Sequence, residues 1–150
     1  MSFKLSKRSL SRLEGVNENL VRVVKQAITL TTVDFGVTQG LRTLEEQKRL
    51  VAQGRSQTMK SKHLDGLAVD VVAYIDGQVC WEINVYDEIA DAFKTAAQDQ
   101  GVALRWGAAW TVPNICEWES TMEAAYLSYV DTRRSQGRRP FIDAPHFEMV

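Results

Sequence analysis

Only two histidines occur in this 150-residue chain, and each lies in a segment that also carries a carboxylate and an apolar run. The first segment runs from Ser61 to Asp70 and the second from Asp143 to Glu148. Residues 67–73 form a β-branched run that predicts a buried strand, so Asp70 falls among apolar side chains. A carboxylate is costly to bury without a cation beside it. The distribution therefore suggests a metal site to which two distant segments contribute.

The predicted metal ligands are His63, Asp70 and His146. Gly66 permits a tight turn between loop and strand, which lets His63 fold back toward Asp70. Catalytic zinc commonly takes three protein ligands and keeps a fourth position for water. Asp143 lies three residues before His146, close enough in sequence to accept a proton from such a water. The pattern predicts two His and one Asp on the metal, with Asp143 as the base.

Other interpretations of the histidines remain open at this point. A single histidine beside an apolar strand is more often a packed or surface residue than a ligand. A closed structural zinc site would use Cys80 and Cys116 with the two histidines, but such sites usually draw on tight C-x(2–4)-C or H-x(3–5)-H pairs, which the chain lacks. The chain also lacks H-E-x-x-H, which excludes the common metalloprotease motif.

Three spaced motifs together resemble the zinc peptidases of the D-Ala-D-Ala carboxypeptidase and VanX/VanY kind. They are Gln39-Gly40-Leu41-Arg42-Thr43, Ser61-x-His63-x-x-Gly66-x-Ala68-x-Asp70 and Asp143-x-Pro145-His146-Phe147-Glu148. Within that group the chain is most similar to the L-alanyl-D-glutamate endopeptidases that serve as bacteriophage endolysins. Residues 1–6 and 104–107 share that likeness, so the resemblance covers most of the chain. The motifs are specific in combination, whereas each alone is weak.

The resemblance implies both a fold and an activity. The fold is α+β, a small antiparallel sheet with flanking helices and the zinc at strand and loop ends, as in the VanX/VanY and Hedgehog-like zinc peptidases. The activity is zinc-dependent cleavage of the L-alanyl-D-glutamate bond of peptidoglycan stem peptides during host lysis by a phage or prophage. A D-Ala-D-Ala carboxypeptidase would use the same metal site. A non-catalytic zinc-stabilised binding module, in contrast, has no need for Asp143 or Arg42.

The resemblance also assigns roles to three residues near the metal. Arg42 by itself is typical of a solvated residue before a helix, but in the resembling peptidases this arginine lies near the scissile carbonyl. A guanidinium suits that position because it stays charged and donates in a fixed geometry. Ser61 corresponds to a serine that helps to hold substrate. Glu148 corresponds to a partner that holds a ligand histidine.

Two further groups have two interpretations each. Trp106 and Trp110 either wall a substrate groove or belong to the core. Ala109 stands where the resembling enzymes often have an aspartate, so any substrate contact of that aspartate is in doubt here.

Four arginines before Asp143 are typical of a solvated face, or they meet acidic groups of the peptidoglycan stem. They are Arg133, Arg134, Arg138 and Arg139.

Length and composition predict one domain over residues 1–150, without a separate cell-wall-binding domain. A chain of 150 residues with 45% hydrophobic residues can bury about two-thirds of its unfolded surface. Its net charge of −1 gives no general reason to expect nucleic acid or an anionic membrane as partner. We expect a monomer whose partner is the stem peptide.

The N-terminus lacks the apolar stretch of a secretory signal, and no apolar run is long enough to span a membrane. We therefore expect synthesis in the cytoplasm of the bacterial host, with free thiols at Cys80 and Cys116. Access to the cell wall would then follow permeabilisation of the membrane by a holin.

Apolar spacing and cap residues predict the secondary structure. A short helix is expected over Leu10, Leu13 and Val16. Further helices are expected after the caps Asn17 and Thr43, over 86–98 and from about 122 to Gly137. Strands are expected at 34–38, 67–73, 79–81, 102–106 and 146–150, with a hairpin turn at Asp76-Gly77. These strands favour an antiparallel sheet.

Overall fold

A computed structural model describes residues 2–56 and 58–150, and within these ranges the chain forms five helices and five strands. The helices are α1 (Lys7–Arg12), α2 (Glu18–Leu30), α3 (Leu44–Ala52), α4 (Ile83–Gln100) and α5 (Met122–Ser135). The strands are β1 (Asp34–Gln39), β2 (Ala68–Ile75), β3 (Gln78–Cys80), β4 (Leu104–Trp106) and β5 (His146–Met149). Short 3-10 helices lie at Lys62–Asp65 and Ile115–Glu117. Each predicted element is present, and most boundaries differ from the prediction by only a few residues.

Cap residues explain why several helices begin and end where they do. The Asn17 side chain accepts the backbone N–H of Asn19 at the start of α2. Thr43 and Glu46 form the predicted capping box of α3, each accepting the other's backbone N–H. Helix α4 ends at Gly101, whose φ of 67° is left-handed and therefore favours glycine.

The sheet is antiparallel throughout, with the order β1-β2-β5-β4. Strands β5 and β3 pair along the same edge of β2, β5 beside residues 68–70 and β3 beside residues 73–75. Although β5 comes last in the sequence, it lies between β2 and β4. The predicted α+β fold with a small antiparallel sheet is confirmed.

The hydrophobic core lies on one face of this sheet, where α4 packs against β2 and β4 and α2 packs against α4. All five residues predicted for the buried face of α2 are at most 4% exposed; they are Leu20, Val23, Val24, Ala27 and Ile28. Phe93 of α4 stacks on Phe147 of β5 with ring centroids 3.9 Å apart. Burial of such large apolar side chains contributes about 1.5–3 kcal/mol each, so this face is the main source of stability.

Asp70 lies on the other face of β2, away from this core. Val69 and Val71 on either side of it belong to the core, as the alternation of a strand requires. A register irregularity between Val37 and Gln39 brings Gln39 directly opposite Asp70, and β5 places His146 opposite it on the other side. A bulge re-aims side chains in this way next to functional sites. The sheet itself thus forms the row Gln39, Asp70, His146.

Candidate metal centre

The three predicted ligands meet in space. One side-chain atom each from His63, Asp70 and His146 lies within 4.8 Å of the others. Asp70 Oδ1 is the shared neighbour, 3.2 Å from His63 Nε2 and 3.1 Å from His146 Nδ1. Both histidines are buried, with 2% and 7% exposure, while Asp70 is partly exposed. This is a mixed nitrogen and oxygen donor set of the kind that binds divalent metals.

A 3-10 helix of four residues and two close backbone approaches position His63. Ser61 caps this helix by accepting the His63 backbone N–H at 3.2 Å, and Gly66 ends it with a φ of 69°. His63 Nδ1 then donates to the Gly40 carbonyl at 2.8 Å. A Cβ at Gly40 would lie 2.2 Å from the Arg12 carbonyl oxygen, so only glycine fits there. The predicted fold-back of His63 toward the strand follows from these contacts.

The outer hydrogen bonds of the two rings fix which nitrogens face inward. His63 Nδ1 must donate to the Gly40 carbonyl, and His146 Nε2 donates to Glu148 Oε1 at 2.8 Å. In the neutral rings, His63 Nε2 and His146 Nδ1 therefore turn lone pairs toward the Asp70 carboxylate. These acceptors repel one another unless a proton or a metal cation lies among them. Ligand histidines in metal sites are usually held by this second hydrogen bond, so the arrangement fits a bound metal.

The titration behaviour of the cluster has the same cause. Burial by itself would raise the pKa of Asp70, but hydrogen bonds from His146 and His63 outweigh burial and hold that pKa below its usual range. Burial by itself would lower the pKa of His146, but Asp70 and Glu148 raise it to about 9. The carboxylates around His146 thus strongly favour positive charge at this end of the cluster.

Asp143 is held beside the cluster by backbone contacts. Its N–H donates to the Gly107 carbonyl at 2.8 Å, and its carbonyl accepts the His146 N–H at 3.0 Å. A Cβ on Gly107 would lie 2.2 Å from the Asp143 carbonyl oxygen, so this packing requires glycine. Burial, followed by the charge of Asp70, raises the pKa of Asp143. A carboxylate with a raised pKa in a cavity is suited to accept and return a proton.

Arg42 is buried, contrary to what a lone arginine before a helix suggests. Its guanidinium donates to Gln47 Oε1 at 2.6 Å and to Gln39 Oε1 at 3.0 Å, and one Nη lies 3.7 Å from Asp70 Oδ2. A longer contact of 3.4 Å joins it to Ser61 Oγ. Burial lowers the pKa of Arg42, and Asp70 opposes that shift.

Sequence reasoning assigned no role to Gln47 or to Gln39, which belongs to one of the three motifs, although these two amides hold Arg42. Gln47 is fully buried, and its amide group also donates to Ser56 Oγ at 2.9 Å. A glutamine at an apolar position of the α3 pattern was the available signal, because a buried polar side chain needs partners. Gln39 gave no such signal, since the strand irregularity that turns it toward Asp70 is not visible in the sequence.

The cluster opens into a cavity of about 600 Å³. Ser61, Arg42, Asp143 and Glu148 line it together with the three predicted ligands. Trp110 also lines the cavity, and its ring centroid is 5.7 Å from that of His146. This larger group of side chains surrounds one space beside the three predicted metal ligands.

The two tryptophans separate into the two roles that the sequence left open. Trp106 is fully buried, and its indole N–H donates to the Ala144 carbonyl at 2.8 Å, so it is a core residue and not a groove wall. Trp110 belongs to the cavity instead. Ala109 between them is also fully buried. Ala109 therefore offers no polar contact to a substrate.

The cysteine-based alternative does not fit the structure. Within the described ranges, the group that could hold a metal contains neither cysteine. Both thiols are free, as predicted, and the Cys116 thiol donates to the Val102 carbonyl at 3.3 Å. A closed structural zinc site built from Cys80 and Cys116 is therefore excluded.

Comparison with known proteins agrees with this geometry. The family model for phage L-alanyl-D-glutamate peptidases matches residues 1–150. The chain belongs to this family. The L-alanyl-D-glutamate peptidase of Escherichia phage T5 is a family relative that is 36% identical over 114 residues, which are 73% of this chain and 83% of the phage T5 protein.

Comparison with solved structures gives two matches to this member of the phage L-alanyl-D-glutamate peptidase family. The crystal structure of the Serratia marcescens L-Ala D-Glu endopeptidase ChiX matches with a TM-score of 0.73 and 34% identity, over 99% of this chain and 91% of ChiX. The D,D-dipeptidase VanXYg, solved with a D-Ala-D-Ala phosphinate analogue, matches at 18% identity and a TM-score of 0.44, over 88% of this chain and 47% of that one. The predicted membership among these peptidases is confirmed by the family match and by ChiX.

Several expectations stay predictions. The single-domain organisation, the monomeric state, the lack of a secretory signal and the release by a holin rest on the sequence alone. In the parts of the chain that the structure describes, no helix combines the length and the apolar character needed to cross a membrane.

Proposed function

We propose that this chain is a zinc-dependent endopeptidase that hydrolyses the L-alanyl-D-glutamate bond of peptidoglycan stem peptides during phage or prophage lysis. The observation that carries the proposal is the arrangement of His63, Asp70 and His146 beside Asp143 in one cavity. The family match and the likeness to two L-alanyl-D-glutamate peptidases support the choice of bond.

His63 Nε2, Asp70 Oδ1 and His146 Nδ1 would hold the zinc. Two nitrogens and one carboxylate oxygen are the donor set of many catalytic zinc sites, and the outer hydrogen bonds already orient both rings. When bound, zinc lowers the pKa of a water molecule to about 7 and polarises a carbonyl group.

Asp143 is the proposed general base and acid. It lines the cavity beside the ligands, and its raised pKa makes proton uptake easier than for an exposed aspartate. Asp143 accepts the proton of the attacking water and then delivers it to the nitrogen of the leaving D-glutamyl amine. The backbone contacts with Gly107 and His146 keep its carboxylate beside the ligands through both transfers.

Arg42 is proposed to stabilise the negative charge that develops on the scissile carbonyl oxygen. Its guanidinium lines the same cavity and is fixed by Gln39 and Gln47, so it needs no rearrangement during the reaction. Ser61, which contacts both Arg42 and the His63 backbone, would help to hold the substrate.

The experiment is digestion of purified peptidoglycan by the zinc-loaded protein, followed by mass spectrometry of the released fragments. We expect a new L-alanine C-terminus and a new D-glutamate N-terminus, loss of release after chelation, and recovery with added zinc. Release of free D-alanine would instead identify a D-Ala-D-Ala carboxypeptidase. Binding to peptidoglycan without any fragment would identify a non-catalytic module, and either result would overturn the proposal.

A further inference from the structure

A second cavity, of about 460 Å³, lies beside the metal-site cavity. Three arginines line it, and we name it the arginine cavity: Arg105, Arg133 and Arg138, with Trp110, Tyr129 and Phe141 as its aromatic wall. Helix α5 supplies Arg133, and Arg138 follows in the turn after it. The segment between β4 and β5, longer than a simple connection requires, therefore builds this cavity.

Trp110 and Phe141 are shared by both cavities. Their rings stack with centroids 6.4 Å apart, and Trp110 lies 5.7 Å from the ring of ligand His146. On the other side, the guanidinium of Arg105 lies 5.2 Å from the centre of the Trp110 ring. The Trp110 indole thus lies between His146 and Arg105, and Arg133 and Arg138 line the same cavity as Arg105. The distances from His146 to Trp110 and from Trp110 to Arg105, taken together, are comparable to about three extended peptide residues at 3.3–3.6 Å each.

The arginine cavity has positive charge that its own lining does not neutralise. Its lining contains no carboxylate, and within residues 2–56 and 58–150 the ion pairs formed involve Arg42 and the two histidines, not these arginines. Glu148 faces Arg105 across the sheet, but its carboxylate is bonded to His146. Arg105 and Arg133 donate to backbone carbonyls, of Trp110 and Arg139 respectively, while Arg138 has no side-chain hydrogen bond among the described residues.

The proposed substrate supplies the matching charge. Glutamate has two carboxyl groups, and the peptide continues through only one of them. Every L-alanyl-D-glutamyl peptide therefore keeps a free carboxylate just beyond the scissile bond, and a stem peptide adds another at its C-terminus. In a tetrapeptide stem both carboxylates lie within about three residues of the scissile bond, a length comparable to the two distances above taken together. Guanidinium groups bind carboxylates through charge-assisted hydrogen bonds.

We propose that the arginine cavity is a substrate subsite that binds a free carboxylate of the stem peptide on the D-glutamyl side of the scissile bond. The subsite rests on the proposed function, since it takes its ligand from the same substrate. It selects acidic peptides and sets the direction in which a peptide crosses the metal ligands. Trp110 and Phe141 form the apolar floor between the two positions.

The test compares three synthetic peptides of the sequence L-Ala-D-Glu-L-Lys-D-Ala: one with both carboxylates free, one amidated at the glutamyl carboxylate and one amidated at the C-terminus. Arg138→Gln removes an exposed charge without loss of an internal bond. We expect it to raise KM for the free peptide about three-fold, and Arg133→Gln combined with Arg138→Gln on the order of ten-fold, with kcat unchanged. Arg134→Gln, an exposed neighbour outside the cavity, is the matched control and should behave as the wild type.

The amidated peptides identify which carboxylate binds. For the peptide that lacks it, the wild type should already show the raised KM, and the arginine variants should add nothing further. Variants that match the wild type on the free peptide, or that raise KM equally on all three peptides, would overturn the subsite.

A binding measurement separates this inference from the proposed function. The tripeptide D-Glu-L-Lys-D-Ala has no scissile bond, and its affinity for the zinc-loaded protein is measured by calorimetry. Arg-dependent affinity without cleavage of any L-Ala-D-Glu peptide would refute the function and support the subsite. Normal cleavage with an affinity that the arginine variants do not change would refute the subsite and leave the function intact.

Discussion

Asp143 lines the cavity but is not one of the three predicted metal ligands, so an effect on catalysis can be separated from an effect on metal binding. We expect Asp143→Ala to retain zinc and to lose roughly 10²-fold to 10⁴-fold in turnover, the usual effect of removing a general base. His146→Ala is the comparison, and it should lose tight zinc binding as well as activity. Metal analysis and steady-state kinetics of both variants test this. Loss of zinc from Asp143→Ala would make this residue a ligand.

Arg42 is buried and lines the cavity, and steady-state kinetics distinguish its possible roles. If it stabilises charge that develops only in the transition state, Arg42→Ala should lower kcat with zinc content unchanged. Comparable donors contribute about 2.7–4 kcal/mol. Arg42→Lys should recover little, because a compact ammonium cannot reach Gln39 and Gln47 together in the same geometry. A raised KM with intact kcat would make Arg42 a substrate anchor instead.

Asp87, a residue of helix α4, carries a buried carboxyl group outside the site and is only 6% exposed. Burial, followed by the charges of Glu123 and Asp91, raises its pKa to about 6. The folded protein thus holds this proton up to about pH 6, whereas the unfolded chain releases it near pH 3.9. The folded state binds more protons at Asp87 in this window, so the contribution of Asp87 to the free energy of unfolding should fall as pH rises from about 4 to about 6.

Asp87→Asn should remove this contribution. We expect the variant to match the wild type near pH 3.5 and to be more stable at pH 7, by at most about 3 kcal/mol. Urea unfolding at both pH values measures the difference. The exposed Glu119→Gln serves as the control. Equal stability of Asp87→Asn and wild type at pH 7 would show that burial and the neighbouring charges do not destabilise the Asp87 carboxylate.

Elements with a local signature could be predicted from the sequence, while elements that depend on distant contacts could not. The loop and strand from His63 to Asp70 follow from a glycine turn and a β-branched run, both encoded within ten residues. The surroundings of Arg42 depend on a strand irregularity and on a buried amide from α3. The choice of Trp110 over Trp106 as the cavity wall depends on how β4 packs against β5. No pattern in a single segment contains that information.

For the molecule as a whole, bound metal should appear as stability. The ligand group exists only in the folded chain, so zinc at 100 times its dissociation constant should stabilise it by about 2.7 kcal/mol. For a domain of this size that corresponds to a rise in Tm of roughly 5–10 °C. Circular dichroism melts with zinc and with chelator measure it. His146→Ala should show no such rise, and an equal Tm of the wild type in both conditions would contradict a metal held by the folded state.

Because β5 lies between β2 and β4 and carries His146, the sheet and the candidate metal centre are completed together. His146 lies 76 residues after Asp70, and Asp143 enters the cavity on the same turn. Until β5 inserts between β2 and β4, the chain lacks His146 beside Asp70, Asp143 in the cavity and the pairing that joins those two strands. Such non-local pairing forms late and slowly. A half-folded copy therefore lacks the complete candidate metal centre, which is assembled only when the last strand joins the sheet.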